Sequence, residues 1–155
     1  MRKTILLLFI LGYHAGIQAQ DLKRLHEMGK NYLIDGDYSN AESLLSQAHR
    51  LDSNFLPAAK DLTLCYFFQK DYKSALKTIQ PYIDRDSADD QCYQIAGNLY
   101  KSLSQPIECE LILKKGIQKF QDNGPLYNAL GELYSDQKKP EAIGFWEKGI
   151  QNDPA

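Results

Sequence analysis

The stretch that decides the fold is Tyr127-Asn128-Ala129-Leu130-Gly131-Glu132-Leu133-Tyr134, in which large and small apolar residues fall at helical spacing. Similar stripes recur about every 34 residues towards the N-terminus. Their members are Tyr93, Ala96, Gly97 and Tyr100; Ala59, Leu62, Thr63 and Tyr66; and Leu25, Met28, Gly29 and Tyr32. A period of this length indicates a helical repeat, in which each unit needs its neighbours to bury its apolar face.

A second apolar stripe follows each of the first stripes after a short turn. These second stripes are Tyr38, Ala41, Leu45 and Ala48; Tyr72, Ala75, Ile79 and Tyr82; Pro106, Cys109, Leu113 and Gly116; and, after a one-residue deletion, Ala142, Trp146, Gly149 and Pro154. Two stripes per period predict two antiparallel helices, A and B, in each repeat. The sequence thus predicts an all-α solenoid of four helix-turn-helix repeats, spanning residues 22–55, 56–89, 90–123 and 124–155.

Signals at the predicted helix ends agree with this division. Four prolines fall near predicted helix starts, where their missing N–H costs nothing: Pro57, Pro106, Pro125 and Pro140. Pro81 instead falls inside the second helix B, and we expect it to kink that helix or end it early. Ser39 and Glu42 have the spacing of a capping box, which predicts that Ser39 caps the first helix B.

These residues resemble the tetratricopeptide repeat, a helical repeat family with Leu-Gly and Tyr on helix A, Ala and an aromatic residue on helix B, and a closing proline. The match is closest in residues 127–134 and 141–154, and the resemblance extends over residues 22–155. It implies a right-handed superhelix whose concave wall is made by the A helices and binds a protein or peptide ligand.

The resemblance also implies a set of groove-facing positions. In this chain they are Lys23, His26, Lys30, Leu33, Lys60, Leu64, Phe67, Phe68, Gln91, Gln94, Asn98, Lys101, Asn128, Glu132 and Ser135. The set has a basic entry, an aromatic middle and an amide-rich far side. We therefore expect a ligand peptide, extended or helical, with apolar anchors and some acidic character.

The aromatic middle of this set has two interpretations. Phe67 and Phe68 directly follow Tyr66, and adjacent residues of a helix point in different directions, so the three rings cannot all face one core. One ring should then be exposed and serve as a binding hot spot, unless both phenylalanines tuck against an adjacent helix. The lysines also fit a solvated face, and His26 fits an ordinary surface histidine.

The first 19 residues have the layout of a secretory signal peptide. A positive start, Arg2-Lys3, precedes the apolar run of residues 5–11, and small residues lead to Ala19. The run is shorter than the roughly 20 residues of a membrane span, so an uncleaved anchor is the alternative and the single predicted membrane contact. The Ala19-Gln20 ending resembles signal peptides of Bacteroidota-like bacteria. We expect an exported protein that is periplasmic or envelope-associated.

Composition gives no reason to expect a nucleic acid or a cofactor. The 18 basic and 20 acidic residues leave a formal net charge of −2, so no basic field attracts nucleic acid. Cys65, Cys92 and Cys109 fall at positions for small apolar residues, which favours buried thiols. The alternative in an exported protein is a disulfide.

The sequence also predicts a protein that is not an enzyme. It lacks the CxxC, HExxH, GxSxG and phosphate-loop motifs. A pair of Cys65 with His26 is the only nucleophile and base to consider, and it carries no motif. A catalytic thiol must be accessible, with a lowered pKa and an adjacent base, whereas Cys65 is expected to be buried.

The last predicted repeat ends without a further helix to cover it, and an uncovered end exposes apolar surface. Four residues are expected to pack back onto repeat three, namely Leu126, Leu133, Ile143 and Ile150, and three to stay partly uncovered, namely Ala129, Leu130 and Trp146.

The sequence as a whole supports two hypotheses about function. The first is a non-enzymatic scaffold that binds a protein or peptide on its concave face. The alternative is a structural module that forms a homodimer, or the N-terminal part of a larger envelope complex or sensor, through this end.

Overall fold

The computed structural model of this protein describes residues 19–85 and 88–153. Most of the predicted signal peptide therefore lies outside the described residues. Within them the chain forms α-helices and no strand. The helices are α1 (described from 19 to 34), α2 (Tyr38–Leu51), α3 (Leu56–Phe68), α4 (Tyr72–Ile83), α5 (Asp90–Ser102), α6 (Pro106–Lys119), α7 (Gly124–Asp136) and α8 (Ala142–Gln151). The predicted all-α class is confirmed.

The described residues divide into two compact units. Unit 1 ends at Gln69 and contains α1, α2 and α3, and unit 2 begins at Lys70 and contains α4 to α8. No helix in the described part of the chain is both long and apolar enough to cross a membrane.

The core of unit 1 forms where α2 packs against α3. Its buried cluster is Ala41, Leu45, Leu62 and Cys65, with Leu33, Tyr38 and Tyr66 packed against it. Helix α1 approaches α2 closely at Gly29, where an added Cβ would lie 2.7 Å from Cγ of Leu45. The small residues of the two stripes are therefore needed because they let the helices approach one another.

The core of unit 2 is also formed by neighbouring helices that pack against one another. Helix α5 packs against α4, α6 and α7, and α7 in turn packs against α6 and α8. The largest fully buried side chains of unit 2 are Ile79, Ile83, Leu99, Leu113, Leu126 and Leu130, with Cys92 and Cys109. Ile79, Leu113, Cys109 and Leu130 belong to the predicted stripes, whereas Ile83, Leu99, Leu126 and Cys92 lie beside them. The 34-residue pattern thus identified half of this set.

Four turns place one residue each in the left-handed region of φ. These residues are Gly36 (φ 78°), Lys70 (63°), Ser104 (57°) and Lys138 (56°), and each number exceeds the one before it by 34 (70 − 36, 104 − 70 and 138 − 104). Only the first is a glycine, which adopts such a φ without steric cost. The backbone thus keeps the period at positions where the residue types do not show it.

The helix ends correct one prediction and agree with another. The side chain of Asp37 caps α2 by accepting a hydrogen bond from the backbone N–H of Asn40 (3.2 Å). The predicted capping box was therefore wrong, because α2 begins one residue before Ser39 and the aspartate already occupies the cap. Pro81 lies inside α4, which ends two residues later at Ile83, as expected for a residue that lacks the N–H of a helical hydrogen bond.

The predictions for the C-terminal end were partly wrong. Leu126 and Leu133 are buried as expected. Leu130, expected to stay partly uncovered, is only 1% exposed because α8 packs along α7, whereas Ala129 and Trp146 are half-buried. Ile143 (61% exposed) and Ile150 (76%) point outwards instead of packing back. The reason is that Trp146 packs against Gly131, which turns the stripe of Ala142, Trp146 and Gly149 towards α7 and both isoleucines away from it.

Candidate functional site

Three aromatic side chains, of which one is exposed, form a cluster on unit 1. Phe68, the last residue of α3, is 51% exposed. Its ring stacks on the ring of Tyr38, the first residue of α2, with centroids 5.3 Å apart and planes inclined by 12°. Phe67 meets Phe68 edge to face at 5.8 Å. We call Tyr38, Phe67 and Phe68 the aromatic patch; the expectation that at least one phenylalanine is exposed is confirmed.

Polar contacts fix the position of this patch. The side-chain amide of Gln69 donates hydrogen bonds to the carbonyl oxygen of Tyr38 (3.1 Å) and to the carboxylate of Glu42 (3.0 Å). The thiol of Cys65 donates to the same carbonyl oxygen (3.0 Å). The start of α2 and the end of α3 are thus held together beneath the rings, and the stacked pair needs little ordering before it binds a ligand.

His26 is engaged within unit 1. Its Nε2 lies 2.8 Å from Oδ2 of Asp61, and the two side chains are only 14% and 18% exposed. The imidazole also meets the ring of Phe55 edge to face at 5.1 Å. His26 therefore joins α1 to α3 in place of presenting a free polar group to a ligand.

The other predicted residues of unit 1 lie in different surroundings. Lys23 and Lys30 are exposed on α1, whereas Lys60 and Leu64 on α3 are half-buried. Leu33 packs against the buried cluster of the unit. Of this set, the lysines of α1 remain accessible for electrostatic contacts, and Leu33 contributes to folding.

In unit 2 the structure brings Lys101 and Glu132 together. The Nζ of Lys101 lies 3.4 Å from a carboxylate oxygen of Glu132 and 2.9 Å from one of Asp136. The hydrogen bond to Asp136 raises the pKa of Lys101, with both carboxylates contributing. Two carboxylates face one ammonium here, so this surface is net acidic.

The uncharged polar residues of the unit 2 set differ in their exposure to solvent. Gln91, Asn98 and Ser135 are exposed. Gln94 is half-buried and donates to the carboxylate of Asp90 (3.4 Å). Asn128 is half-buried with its side-chain oxygen against Gly149 of α8, so this predicted groove residue contributes to helix packing.

Sequence reasoning missed two groups. Tyr38 was assigned only to the buried stripe, although it is the stacking partner of Phe68. Glu110 of α6 accepts hydrogen bonds from Lys114 (2.6 Å) and from the hydroxyl of Tyr134 (2.7 Å). The aromatic residue at a helix start and the Glu110–Lys114 spacing of four were the signals that could have indicated them.

The cysteines have the surroundings of structural thiols. Cys65, Cys92 and Cys109 are free and buried, which confirms that prediction. Burial raises the pKa of Cys65, and it raises the pKa of Cys109 to about 11. The base considered for Cys65, His26, is bonded to Asp61. Among the described residues, no group of three or more His, Cys, Asp or Glu side chains could hold a metal ion.

The fold and these surfaces define a class of helical repeat proteins, and comparisons agree. Residues 32–99 match a family model described as tetratricopeptide repeat. The crystal structure of MamA is similar, with 20% identity and a TM-score of 0.75 over 84% of this chain and 77% of that one.

Two further solved structures are comparably similar. PilF of Pseudomonas aeruginosa has 19% identity and a TM-score of 0.77, covering 88% of this chain and 63% of its own. A chain of the APC/C hetero-tetramer Cut9-Hcn1 has 17% identity and a TM-score of 0.76, covering 84% of this chain and 25% of its own. At such identities the likeness shows the fold alone. No curated protein matches this chain.

Proposed function

We propose that this protein is a non-enzymatic scaffold that binds a protein or peptide. The observation that carries the proposal is the aromatic patch of unit 1, where a half-exposed Phe68 is held in a stack on Tyr38. Rigid aromatic side chains at a surface provide large contact area at little entropic cost and are enriched among binding hot spots. The match of residues 32–99 to the tetratricopeptide repeat supports this function.

The ligand we propose for this surface has an apolar anchor and an acidic flank. The anchor contacts Phe68 and Phe67, and the acidic part approaches Lys23 and Lys30, which are exposed on α1 of the same unit. The Cut9-Hcn1 structure, which has a similar fold, is a hetero-tetramer and thus contains protein partners. We also propose that Gln94, Asn98, Lys101 and Glu132 of the predicted groove set bind a ligand on unit 2, whereas Asn128 of that set packs against Gly149.

Photo-crosslinking tests this proposal in cells. A photoreactive phenylalanine analogue is placed at position 68 and, in a separate variant, at position 51, because Leu51 is similarly exposed (47%) but lies outside the patch. We expect a discrete crosslinked partner from position 68 and none of the same mass from position 51. Equal patterns from both positions would contradict a specific role of the patch.

We propose that the scaffold does not catalyse a reaction. The raised pKa of Cys65 and Cys109 disfavours the thiolate that a nucleophile requires.

We also propose that the chain contains four helical repeats arranged as a right-handed superhelix. The left-handed residues at positions 36, 70, 104 and 138 support the repeat count, since they recur with the same period as the apolar stripes.

We further propose that the protein is exported, on the basis of the positive start, apolar run and small residues in 1–19. The experiment is N-terminal sequencing of the protein recovered from cells after fractionation. A mature chain that begins at Gln20 in the periplasmic or envelope fraction is expected. An intact Met1 in the cytoplasmic fraction would contradict export.

A second candidate function, assembly through the C-terminal end, is favoured by one observation. Helix α8 exposes two large aliphatic side chains, Ile143 and Ile150, at 61% and 76%, and adjacent exposed apolar side chains can mark an interaction site. Covering them by a second copy or a larger complex would bury this apolar surface. Association that increases with protein concentration supports this candidate, and a monomer at all concentrations contradicts it.

A further inference from the structure

A groove in unit 2 lies apart from all the predicted binding residues. It has a volume of about 550 Å³ and is formed by α4 together with the end of α5 and the turn that follows it. Its lining includes Leu76, the ring of Tyr100 and Leu103, which are half-buried. The hydroxyl of Tyr100 donates to the side chain of Gln80 (3.3 Å), which fixes the ring. The groove thus offers a partly apolar, ordered floor.

The edge of this groove is basic. Lys73 and Lys77 are exposed on α4, one helical turn apart, and both line the groove. Lys77 forms no ion pair with any residue in the described ranges. Burial raises the pKa of Tyr100, with Glu108 and Asp84 contributing. Asp84 is paired with Lys115 (3.4 Å). The groove therefore suits a ligand that is apolar and acidic.

Helix α8 carries a face with this chemistry. Ile143, Glu147 and Ile150 are all exposed and are spaced by four and three residues, so they lie along one side of the helix. Gly144 is exposed next to Ile143, and an added Cβ there would meet no atom within 4 Å. The backbone of α8 can consequently approach a neighbouring surface closely at this point.

We infer that the face of Ile143, Glu147 and Ile150 on one copy of the chain docks into the groove edged by Lys73 and Lys77 on a second copy. The isoleucines cover Leu76 and Leu103, and the carboxylate of Glu147 lies between the two ammonium groups. This inference rests on the assembly candidate above and names its receiving surface. Among the described helices of one copy, α8 packs against α7 and not against α4, so a second copy supplies the occupant of the groove.

The two surfaces differ, and the contact is therefore heterologous. A head-to-tail contact of this kind leaves a free groove at one end and a free α8 face at the other, so that the assembly grows with concentration unless it closes into a ring. A symmetric contact between two α8 helices would instead stop at a dimer. This difference separates the inference from end-to-end pairing.

Charge reversal with mixing provides the test. The full chain is examined by light scattering after size-exclusion chromatography, over a concentration series, as wild type, as Lys73→Glu/Lys77→Glu and as Glu147→Lys. Each reversal places like charges across the contact, and we expect each variant alone to associate about tenfold more weakly than wild type. An equimolar mixture of the two variants restores opposite charges and should associate like wild type.

The control is Arg50→Glu/Lys138→Glu, which reverses two exposed basic residues outside both surfaces and should leave the association unchanged. Circular dichroism verifies that every variant is helical. If Lys73→Glu/Lys77→Glu associates like wild type while Glu147→Lys does not, the groove is not the receiver and α8 pairs end to end, which overturns the inference but retains the assembly candidate. A wild-type monomer at all concentrations overturns both and leaves the peptide-binding proposal untouched.

Discussion

Gly131 and Gly144 are helical glycines with opposite surroundings, and they show how single residues determine the packing of the last helices. A Cβ on Gly131 would lie 2.5 Å from the ring of Trp146, whereas a Cβ on Gly144 would meet nothing within 4 Å. We expect Gly131→Ala to destabilise unit 2 by about 1–2 kcal/mol, because the ring must move. Gly144→Ala should stabilise it by about 0.5–1 kcal/mol through helix propensity.

Urea unfolding followed by the fluorescence of Trp146, the single tryptophan of the chain, measures both changes. Gly144→Ala is the matched control for Gly131→Ala, because both variants make the same change within a helix. Equal effects of the two variants would mean that the ring does not occupy the space over Gly131.

Glu110 couples the stability of unit 2 to pH. Hydrogen bonds from Lys114 and Tyr134 lower the pKa of its carboxyl below the usual 4.5. A lowered pKa in the folded state contributes stability above about pH 4.5, and this contribution is lost as the pH falls through the folded-state pKa. Glu110→Gln should thus be less stable than wild type at pH 7, and the difference should shrink in acid.

Thermal unfolding between pH 7 and pH 3 measures this difference. Glu27→Gln, an exposed carboxylate on α1, is the control and should show a small difference at every pH. A gap between Glu110→Gln and wild type that stays constant in acid would show that the ionised carboxylate is not what stabilises α6 against α7.

At the scale of the elements, three turns between helices place a non-glycine residue at a positive φ, which strains the backbone. Ser104 adopts a φ of 57° between α5 and α6, a conformation that costs a residue with a Cβ about 1 kcal/mol. We expect Ser104→Gly to stabilise unit 2 by about 0.5–1 kcal/mol, the gain being reduced by the freedom of glycine in the unfolded chain.

Ser102→Gly is the matched control because it makes the same change in the last residue of α5. It should destabilise by about 0.5–1 kcal/mol, since glycine is unfavourable in a helix. Urea midpoints measured by Trp146 fluorescence compare the two. A loss of stability in Ser104→Gly would contradict the assigned turn geometry.

At the scale of the molecule, the sequence predicted the helices and most of the core, because the stripes of small and large residues report packing directly. The packing of Ile143 and Ile150 was predicted wrongly, because the predicted stripe of Ala142, Trp146 and Gly149 does face α7 and leaves both isoleucines on the other side of α8. For the candidate site, position 68 was identified because three consecutive aromatic residues cannot share one core. The stacking with Tyr38 was missed because it joins residues 30 positions apart (68 − 38) on different helices.

The most direct test of the proposed function is the affinity of the crosslinked partner for purified wild type, Phe68→Ala and Leu51→Ala, measured by isothermal titration calorimetry. A hot-spot aromatic contributes about 2 kcal/mol, so Phe68→Ala should weaken the Kd about 30-fold. Leu51→Ala, similarly exposed outside the patch, should bind like wild type. Wild-type affinity in Phe68→Ala would contradict the proposal that the aromatic patch is the binding surface.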